Sequence, residues 1–253
     1  MKPRRKQEWF DDDSLWREIY PFLFPERRIA ATPEQVRKVL KLTKPRGKKV
    51  LDLCCGPGRC SIVLAKKGFK VTGVDRTRFF LDVARERAET TKVKVEWIQQ
   101  DMRDFVRPKA FDLVLNLWTS FGYFDDPNED LRVLRNIHKS LRPGGVCLID
   151  VIGRECVAKF QQSNFAERLP DGTVMFQHHH VAENWTKMHQ EWTILRVNGR
   201  TKTLRFSLTL YSGGELRARL EQAGFKNIKL YGSLDGDDYG PYAQRLIIVG
   251  QKN

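Results

Sequence analysis

Two glycines and two acidic residues, each close to an apolar run, are the residues of this chain best suited to hold a ligand. An apolar run at 50–53 contains Asp52 and leads into a Gly-Pro-Gly turn formed around Gly56 and Gly58, after which residues 61–66 follow a helical pattern. Such a turn brings backbone N–H groups and the positive end of a helix close to a ligand, and glycine permits the close approach. The next apolar run ends at Asp75, where nucleotide-binding folds place the acid that binds ribose hydroxyls.

These residues do not fit a dinucleotide site, because the pattern GxGxxG needs a third glycine and only Gly56 and Gly58 are present. They fit motif I of the class I S-adenosylmethionine (SAM) methyltransferases better, which reads roughly DxGxGxG after an apolar strand. Asp52 takes the acidic position, and Cys54 stands where the first glycine is expected. The resemblance continues in order along the chain through QQDM at 99–102, FDLVLN at 111–116 and LRPGGVCLID at 141–150.

The pattern of apolar runs predicts the elements that position these residues. Strands are predicted at 50–53, 71–74, 95–98, 111–115 and 146–151, with helices between them. From about 160 to 210 the alternation gives way to short β-prone runs, and the Asn198-Gly199 pair predicts a hairpin. We therefore expect an α/β fold with a Rossmann-like, seven-stranded mixed sheet sandwiched by helices, and an antiparallel β lobe inserted after the fifth strand. The expected divisions are an N-terminal helical arm or lid (1–44), a SAM-binding core (45–153), the lobe on the substrate side (154–210), and a returning helix with closing strands (211–253).

The resemblance implies SAM as cofactor, S-adenosylhomocysteine as product, and a role for each matching residue. The methionine part of SAM would lie against the turn after the first strand, the ribose against Asp75, and the adenine between the residues after the second and third strands. The methyl group would lie at the carboxyl end of the fourth strand. The predicted cofactor residues are Asp52, Cys54, Gly56, Gly58, Asp75, Arg76, Asp101, Met102, Asn116, Leu117 and Trp118, with Tyr20 reaching in from the N-terminal arm.

The inserted lobe and the phrases NLWTSFGYF and LYSGGEL narrow the resemblance to small-molecule methyltransferases. Sugar N,N-dimethyltransferases and relatives of glycine N-methyltransferase are examples. Transfer to nitrogen or oxygen of a small-molecule acceptor by in-line displacement is therefore expected. The chain lacks the Asn/Asp-Pro-Pro-aromatic signature that adenine- and amide-directed enzymes carry after the fourth strand.

Three residues are candidates for catalysis, and each has a simpler structural alternative. Tyr123 occurs near the position of an acceptor-side polar residue in sugar N-methyltransferases, but it could equally be a core aromatic. His178 and His180 would share one face of a strand and could act near neutral pH, or they could lie on the outside of the lobe. No third ligand occurs at a diagnostic spacing from these histidines, so no metal site is predicted.

Composition limits the remaining choices. The chain has 253 residues, 41% of them hydrophobic, and a formal charge of +14. Binding of nucleic acid would use that charge, although a solvated basic surface is the favoured interpretation. Five cysteines without a CxxC pair suit a cytoplasmic protein, and no apolar run is long enough to span a membrane. The alternatives that stay open are an RNA methyltransferase and a non-catalytic SAM-binding protein, as either a monomer or a homodimer.

Overall fold

A mixed seven-stranded sheet forms the centre of the protein, and a separate four-stranded sheet lies beside it. The computed structural model describes residues 8–159 and 164–253. The strand order in the larger sheet is β10-β11-β5-β4-β1-β2-β3, with β1 to β5 parallel to one another and β11 antiparallel to both of its neighbours, β5 and β10. The strands are β1 (Lys49–Leu53), β2 (Lys70–Asp75), β3 (Glu96–Gln99), β4 (Phe111–Asn116), β5 (Leu141–Val151), β10 (Lys226–Tyr231) and β11 (Leu246–Gln251). This architecture confirms the predicted fold class.

Helices cover both faces of this sheet, so that each central strand sends alternate side chains into two separate cores. In β1, Val50 belongs to one buried cluster and Leu51 to the other. Burial on both faces explains why the central strands read as nearly continuous apolar runs. The helices are α1 (Asp13–Leu23), α2 (Glu26–Ala30), α3 (Thr32–Thr43), α4 (Arg59–Lys66), α5 (Arg78–Thr90), α6 (Pro127–Ser140), α7 (Arg154–Lys159) and α8 (Gly213–Gln222), and a short 3-10 turn (Trp9–Asp11) precedes α1. None of these helices has the length and apolar character needed to cross a membrane.

The smaller sheet is the lobe predicted after the fifth strand. Its strands are β6 (Asn164–Arg168), β7 (Val174–Ala182), β8 (Lys187–Leu195) and β9 (Thr201–Thr209), all antiparallel. The predicted Asn-Gly hairpin joins β8 to β9, with Gly199 at a φ of 79° that glycine adopts without strain. The chain then returns to the large sheet through α8, whose first turn is closed by reciprocal bonds between Ser212 and Glu215.

Two glycines make room for one tryptophan beneath the turn after β1. A Cβ atom added to Gly58 would lie 2.5 Å from the Trp97 ring, and one added to Gly73 would also lie 2.5 Å from it. Trp97 therefore packs directly on the backbone of β2 and of Gly58, the residue just before α4. The Trp97 ring therefore supports the turn, and it leaves no room for a side chain at Gly58 or Gly73.

We expect Gly73→Ala to destabilise the protein by about 1–3 kcal/mol, because the new methyl group would overlap the Trp97 ring in a tightly packed core. Gly214→Ala is the matched control, since a Cβ at that helical position has no neighbour within 4 Å. Denaturant unfolding of both variants checks this expectation. An equal loss of stability in the two variants would contradict it.

Candidate functional site

A cleft lies at the carboxyl ends of β1, β2 and β4, where open α/β sheets bind their ligands. Nine of the twelve predicted cofactor residues line it: Asp52, Cys54, Gly56, Asp75, Arg76, Asp101, Met102, Leu117 and Trp118. The other three do not. Gly58 packs on Trp97, Asn116 is fully buried, and Tyr20 packs against Phe24, Phe79 and Phe80. The role of every one of these residues in binding a cofactor stays a prediction.

The buried carboxylate of Asp75 holds the glycine turn in place. One of its oxygens accepts the N–H of Gly56 at 2.8 Å, and the other accepts the N–H of Thr77 at 2.8 Å. Burial raises the pKa of Asp75, although both hydrogen bonds act in the opposite direction. Each oxygen keeps a second lone pair, so the carboxylate can still accept hydrogen bonds from two neighbouring ribose hydroxyls. This geometry fits the nucleoside part of SAM.

Cys54, which stands where the motif has its first glycine, has a backbone conformation that favours glycine. Its φ is 60°, in the left-handed region that costs a residue with a Cβ about 1 kcal/mol or more. The Cys54 thiol lies 3.4 Å from the sulfur of Met102. The substitution of glycine by cysteine therefore keeps the shape of the turn and adds a sulfur contact between the turn and the residue predicted to bind adenine.

A second acid, Asp52, lies at the centre of the cleft and is buried. The hydroxyl of Ser61 donates to its Oδ2 at 2.5 Å. Removal from water raises the pKa of Asp52 to about 6, because the single hydroxyl bond and the charge of Arg59 compensate only partly. A nearby cationic ligand would stabilise the ionised form of this buried carboxyl group, and the sulfonium and ammonium groups of SAM are cations.

Asp101, predicted to hold the adenine, is engaged in the structure by a neighbouring guanidinium. Arg103 donates from Nη2 to Asp101 Oδ2 at 2.7 Å and from Nε to Oδ1 at 3.0 Å. Arg103 itself is buried and lies 4.4 Å from the centre of the Phe124 ring. Any contact between Asp101 and adenine must therefore be shared with this ion pair.

The segment before and within α1 lies over the cleft. Phe10 and Trp16 line the cleft, and Phe10 is buried. The guanidinium of Arg76 donates to the carbonyl oxygen of Phe10 and pairs with Asp11 at 2.8 Å. Arg76, predicted to line the adenine side, thus also ties the N-terminal segment to the end of β2.

Two arginines that the sequence analysis missed carry positive charge into the cleft. Arg59, which begins α4, is only 4% exposed and donates to Gln35, Thr32 and the carbonyl oxygen of Arg28. Within residues 8–159 and 164–253, neither Arg59 nor Arg28 forms an ion pair with a carboxylate. Burial lowers the pKa of the Arg59 guanidinium. A buried cation without an acid partner fits the carboxylate of SAM, whereas Arg28 remains exposed to solvent.

A second and larger cavity, of about 920 Å³, opens between the N-terminal helices and the inner face of the lobe. Five residues line both this cavity and the cleft: Trp16, Leu23, Arg28, Trp118 and Tyr123. We call this set the junction. Burial raises the pKa of Tyr123, so its hydroxyl stays protonated at neutral pH.

The backbone at the junction is strained. Trp118 and Thr119 have φ values of 62° and 61°, which are unusual for large and β-branched residues. Asp150 at the end of β5 holds them in place, because its Oδ2 and its carbonyl oxygen accept the two N–H groups. Arg245 in turn pairs with Asp150 at 2.7 Å and donates to the Thr119 hydroxyl at 2.9 Å. Strain of this kind is typical of functional sites.

The histidines of β7 lie on two different faces of the lobe. His178 and His180 are exposed on the outer face, where His178 bonds to Asn164 and His180 stacks on His189. His180 also borders the second cavity, whereas His178 does not line it. His179 points to the inner face and lines the cavity, and its Nε2 atom has no hydrogen-bond partner in the described part of the chain. A catalytic role for His178 or His180 stays a prediction, and the geometry favours His179 as the histidine that meets a ligand.

Among the described residues, no group of histidines, cysteines and acids could hold a metal ion.

Comparison with known proteins agrees with this geometry. A family described as "Methyltransferase domain" matches residues 50–145. The chain is 26% identical over 237 residues to the putative methyltransferase YqeM of Bacillus subtilis (strain 168), covering 91% of this chain and 95% of that one. Its fold resembles that of a SAM-dependent methyltransferase from Clostridium acetobutylicum ATCC 824, with a TM-score of 0.78 at 14% identity, covering 95% and 98% of the two chains. It also resembles the sugar N-methyltransferase KedS8 from Streptoalloteichus sp ATCC 53650, with a TM-score of 0.71 at 21% identity over 100% and 96%.

The raised pKa of Asp52 has a direct consequence for stability. A carboxyl that ionises near pH 4 when unfolded and near 6 when folded stabilises the native state at low pH, and this contribution is lost as the pH rises through 6. Asp52→Asn removes the buried charge. We expect the cofactor-free variant to be more stable than the parent at about pH 8 by up to about 3 kcal/mol, and equally stable near pH 4.

Thermal melts across this pH range, with and without SAM, check the expectation. The variant should also gain less stability from added SAM, because it lacks the negative charge that faces the ligand. Asp82→Asn, at an exposed position on α5, is the control. A stability difference between Asp52→Asn and the parent that is constant with pH would contradict the account.

Proposed function

Because this chain is a class I SAM-dependent methyltransferase, we propose that it methylates a nitrogen or oxygen atom of a small molecule bound in the second cavity. The observation that carries the proposal is the junction, whose five residues border the cofactor cleft on one side and the second cavity on the other. In-line displacement needs the acceptor atom on the far side of the methyl group from the sulfonium. A molecule in the second cavity would lie on this side of the methyl group, because the cavity borders the cleft along the junction.

SAM supplies a methyl group activated by its sulfonium. The protein's contribution is to bind both molecules, orient them and keep water away. Asp75 and the glycine turn would fix the nucleoside, Asp52 the cationic part, and Arg59 the carboxylate. The strained backbone of Trp118 would then set the wall against which the methyl group lies. Trp16 and Phe10 would exclude water from above.

Tyr123 is the proposed acceptor-side polar residue. Its raised pKa keeps the hydroxyl protonated, so it does not act as a base at neutral pH. The hydroxyl oxygen would accept a hydrogen bond from the N–H or O–H of the acceptor and so orient the attacking lone pair toward the methyl group. The rings of Trp9 and Trp16 pack on it, at 4.8 Å and 6.4 Å between centroids, and limit its movement.

We expect Tyr123→Phe to lower kcat by about tenfold, the value of one hydrogen bond of roughly 1.4 kcal/mol, and to leave the affinity for S-adenosylhomocysteine unchanged. Steady-state kinetics and calorimetry separate the two effects. Phe124→Leu is a useful comparison, because it changes packing next to Tyr123 without removing a hydroxyl. Unchanged turnover in Tyr123→Phe would remove this residue from the mechanism.

The second cavity lies between the N-terminal helices and the lobe, and this position supports a small acceptor. The main alternative is an RNA acceptor, because a formal charge of +14 would attract RNA phosphates. The solved structure of KedS8 is described as a sugar N-methyltransferase, which adds a small-molecule example on a similar fold.

Transfer of labelled methyl groups tests the substrate class. The protein and methyl-tritiated SAM are added to a lysate of the source organism, from which SAM has been removed, and the label is measured in RNA, protein and small-molecule fractions. We expect label in small molecules, lost with Asp75→Ala and retained with Asp82→Ala, an exposed acid on α5. Label in RNA would overturn the small-molecule proposal.

A further inference from the structure

The second cavity has a wall of four aromatic rings that begins at the junction and runs into the lobe. Tyr123 contacts Trp9 with 4.8 Å between ring centroids, Trp9 stacks on Phe206 at 4.8 Å, and Phe206 meets Trp192 edge-on at 5.0 Å. All four residues line the cavity. A flat aromatic molecule can pack along such a wall at every step, since ring pairs prefer these separations and angles.

Most polar side chains of the cavity are already engaged within the protein. Gln190 accepts the Nε1–H of Trp192 at 3.0 Å, and Gln35 accepts from Arg59 at 3.0 Å. The Thr119 hydroxyl accepts from Arg245 at 2.9 Å. A sugar brings many hydroxyl groups, and each one buried without a partner costs about 1–3 kcal/mol. This wall therefore suits an acceptor with few polar groups.

The charges in the cavity disfavour a cation. Glu167 is the one carboxylate among the described residues that line the cavity, and Arg27 already pairs with it. Arg245 is neutralised by Asp150, but Arg28 has no acid partner in the described part of the chain. The junction thus carries one positive charge that pairs directly with no described carboxylate and that Glu167 compensates only partly. A protonated amine would find repulsion there and no free carboxylate.

Two buried nitrogen atoms on the cavity wall have no hydrogen-bond partner among the described residues, Nε1 of Trp9 and Nε2 of His179. His179 lies opposite Gln190 on the inner face of the lobe. Burial lowers the pKa of His179, so the ring is neutral at pH 7 and adds no charge. A hydroxyl or carbonyl group at the far end of a ring could pair with it.

We propose that the acceptor is a planar aromatic molecule, neutral or anionic, with few polar substituents, and that it is neither an aminosugar nor another cationic amine. It packs along the wall formed by Trp9, Phe206 and Trp192, with its acceptor atom at Tyr123 and a polar substituent toward His179. The assignment rests on the proposed function of the cavity and gives it a substrate class.

The test is a calorimetric titration of the protein saturated with S-adenosylhomocysteine, using four probes: naphthoic acid, naphthol, naphthylmethylamine and glucosamine. We expect naphthoic acid and naphthol to bind, and glucosamine to show no binding at millimolar concentration. Naphthylmethylamine should bind at least about tenfold more weakly than naphthoic acid, because one unfavourable charge contact costs roughly 1.4 kcal/mol. Phe206→Leu and Trp192→Leu should each weaken naphthoic acid binding by about tenfold, the loss of one aromatic contact. Phe176→Leu, on the exposed outer face of the same sheet, should not.

Preferential binding of glucosamine or of the amine overturns the proposal, and so does equal loss of binding in Phe206→Leu and Phe176→Leu. Affinity for S-adenosylhomocysteine, measured in every variant, should stay constant because these residues lie outside the cofactor cleft. The outcome is separable from that of the proposed function. Label transferred to a sugar would keep the small-molecule function and remove the aromatic class, whereas label in RNA would remove both.

Discussion

The site depends on a buried carboxylate that accepts a backbone hydrogen bond on each of its two oxygens. Asp75 at the end of β2 accepts the N–H groups of Gly56 and Thr77, so one side chain fixes both the turn after β1 and the turn after β2. A buried carboxylate without such bonds would be strongly unfavourable. The two turns are therefore locked to each other, and the cleft between them has its shape before any ligand arrives. Trp97, packed against the glycines beneath, supports the same arrangement from the other side.

A second carboxylate performs a similar task where the cleft meets the larger cavity. Asp150 accepts a hydrogen bond from the strained backbone after β4. Arg245, which lies 95 residues later in the sequence, forms an ion pair with Asp150 and holds it in place. Strained backbone persists only where its surroundings determine it fully. The wall between the two cavities is thus fixed by residues from β4, β5 and the segment before β11. This explains how the C-terminal part of the chain contributes to a site whose motifs lie in its first half.

The sequence was sufficient to predict what depends on local pattern. Apolar runs, the glycine turn and the Asn-Gly hairpin each specify their own element, and the strand order follows from the family resemblance. Residues that reach the site from distant elements were missed. Arg28, Arg59 and Arg245 look like ordinary surface cations in the sequence, because their positions at the two cavities depend on how α2, α4 and the end of the sheet come together.

The histidines illustrate a second limit. Alternation along a strand separates His178 and His180 from His179, but the pattern does not say which face is inside. The pairing of β7 with β8 decides it, since the apolar side chains of Met188, Trp192 and Ile194 fix the inner face of the lobe. A shift of one residue in register would exchange the two sets. Reading the apolar alternation of β8 together with β7 would have favoured His179.

A crystal structure of the protein with S-adenosylhomocysteine tests the central claim most directly. The account predicts that both ribose hydroxyls lie within hydrogen-bond distance of Asp75, and that the sulfur lies at the junction and faces the second cavity, beside Tyr123 and Trp118. A sulfur atom that points away from this cavity, or a ribose bound without Asp75, would contradict the account.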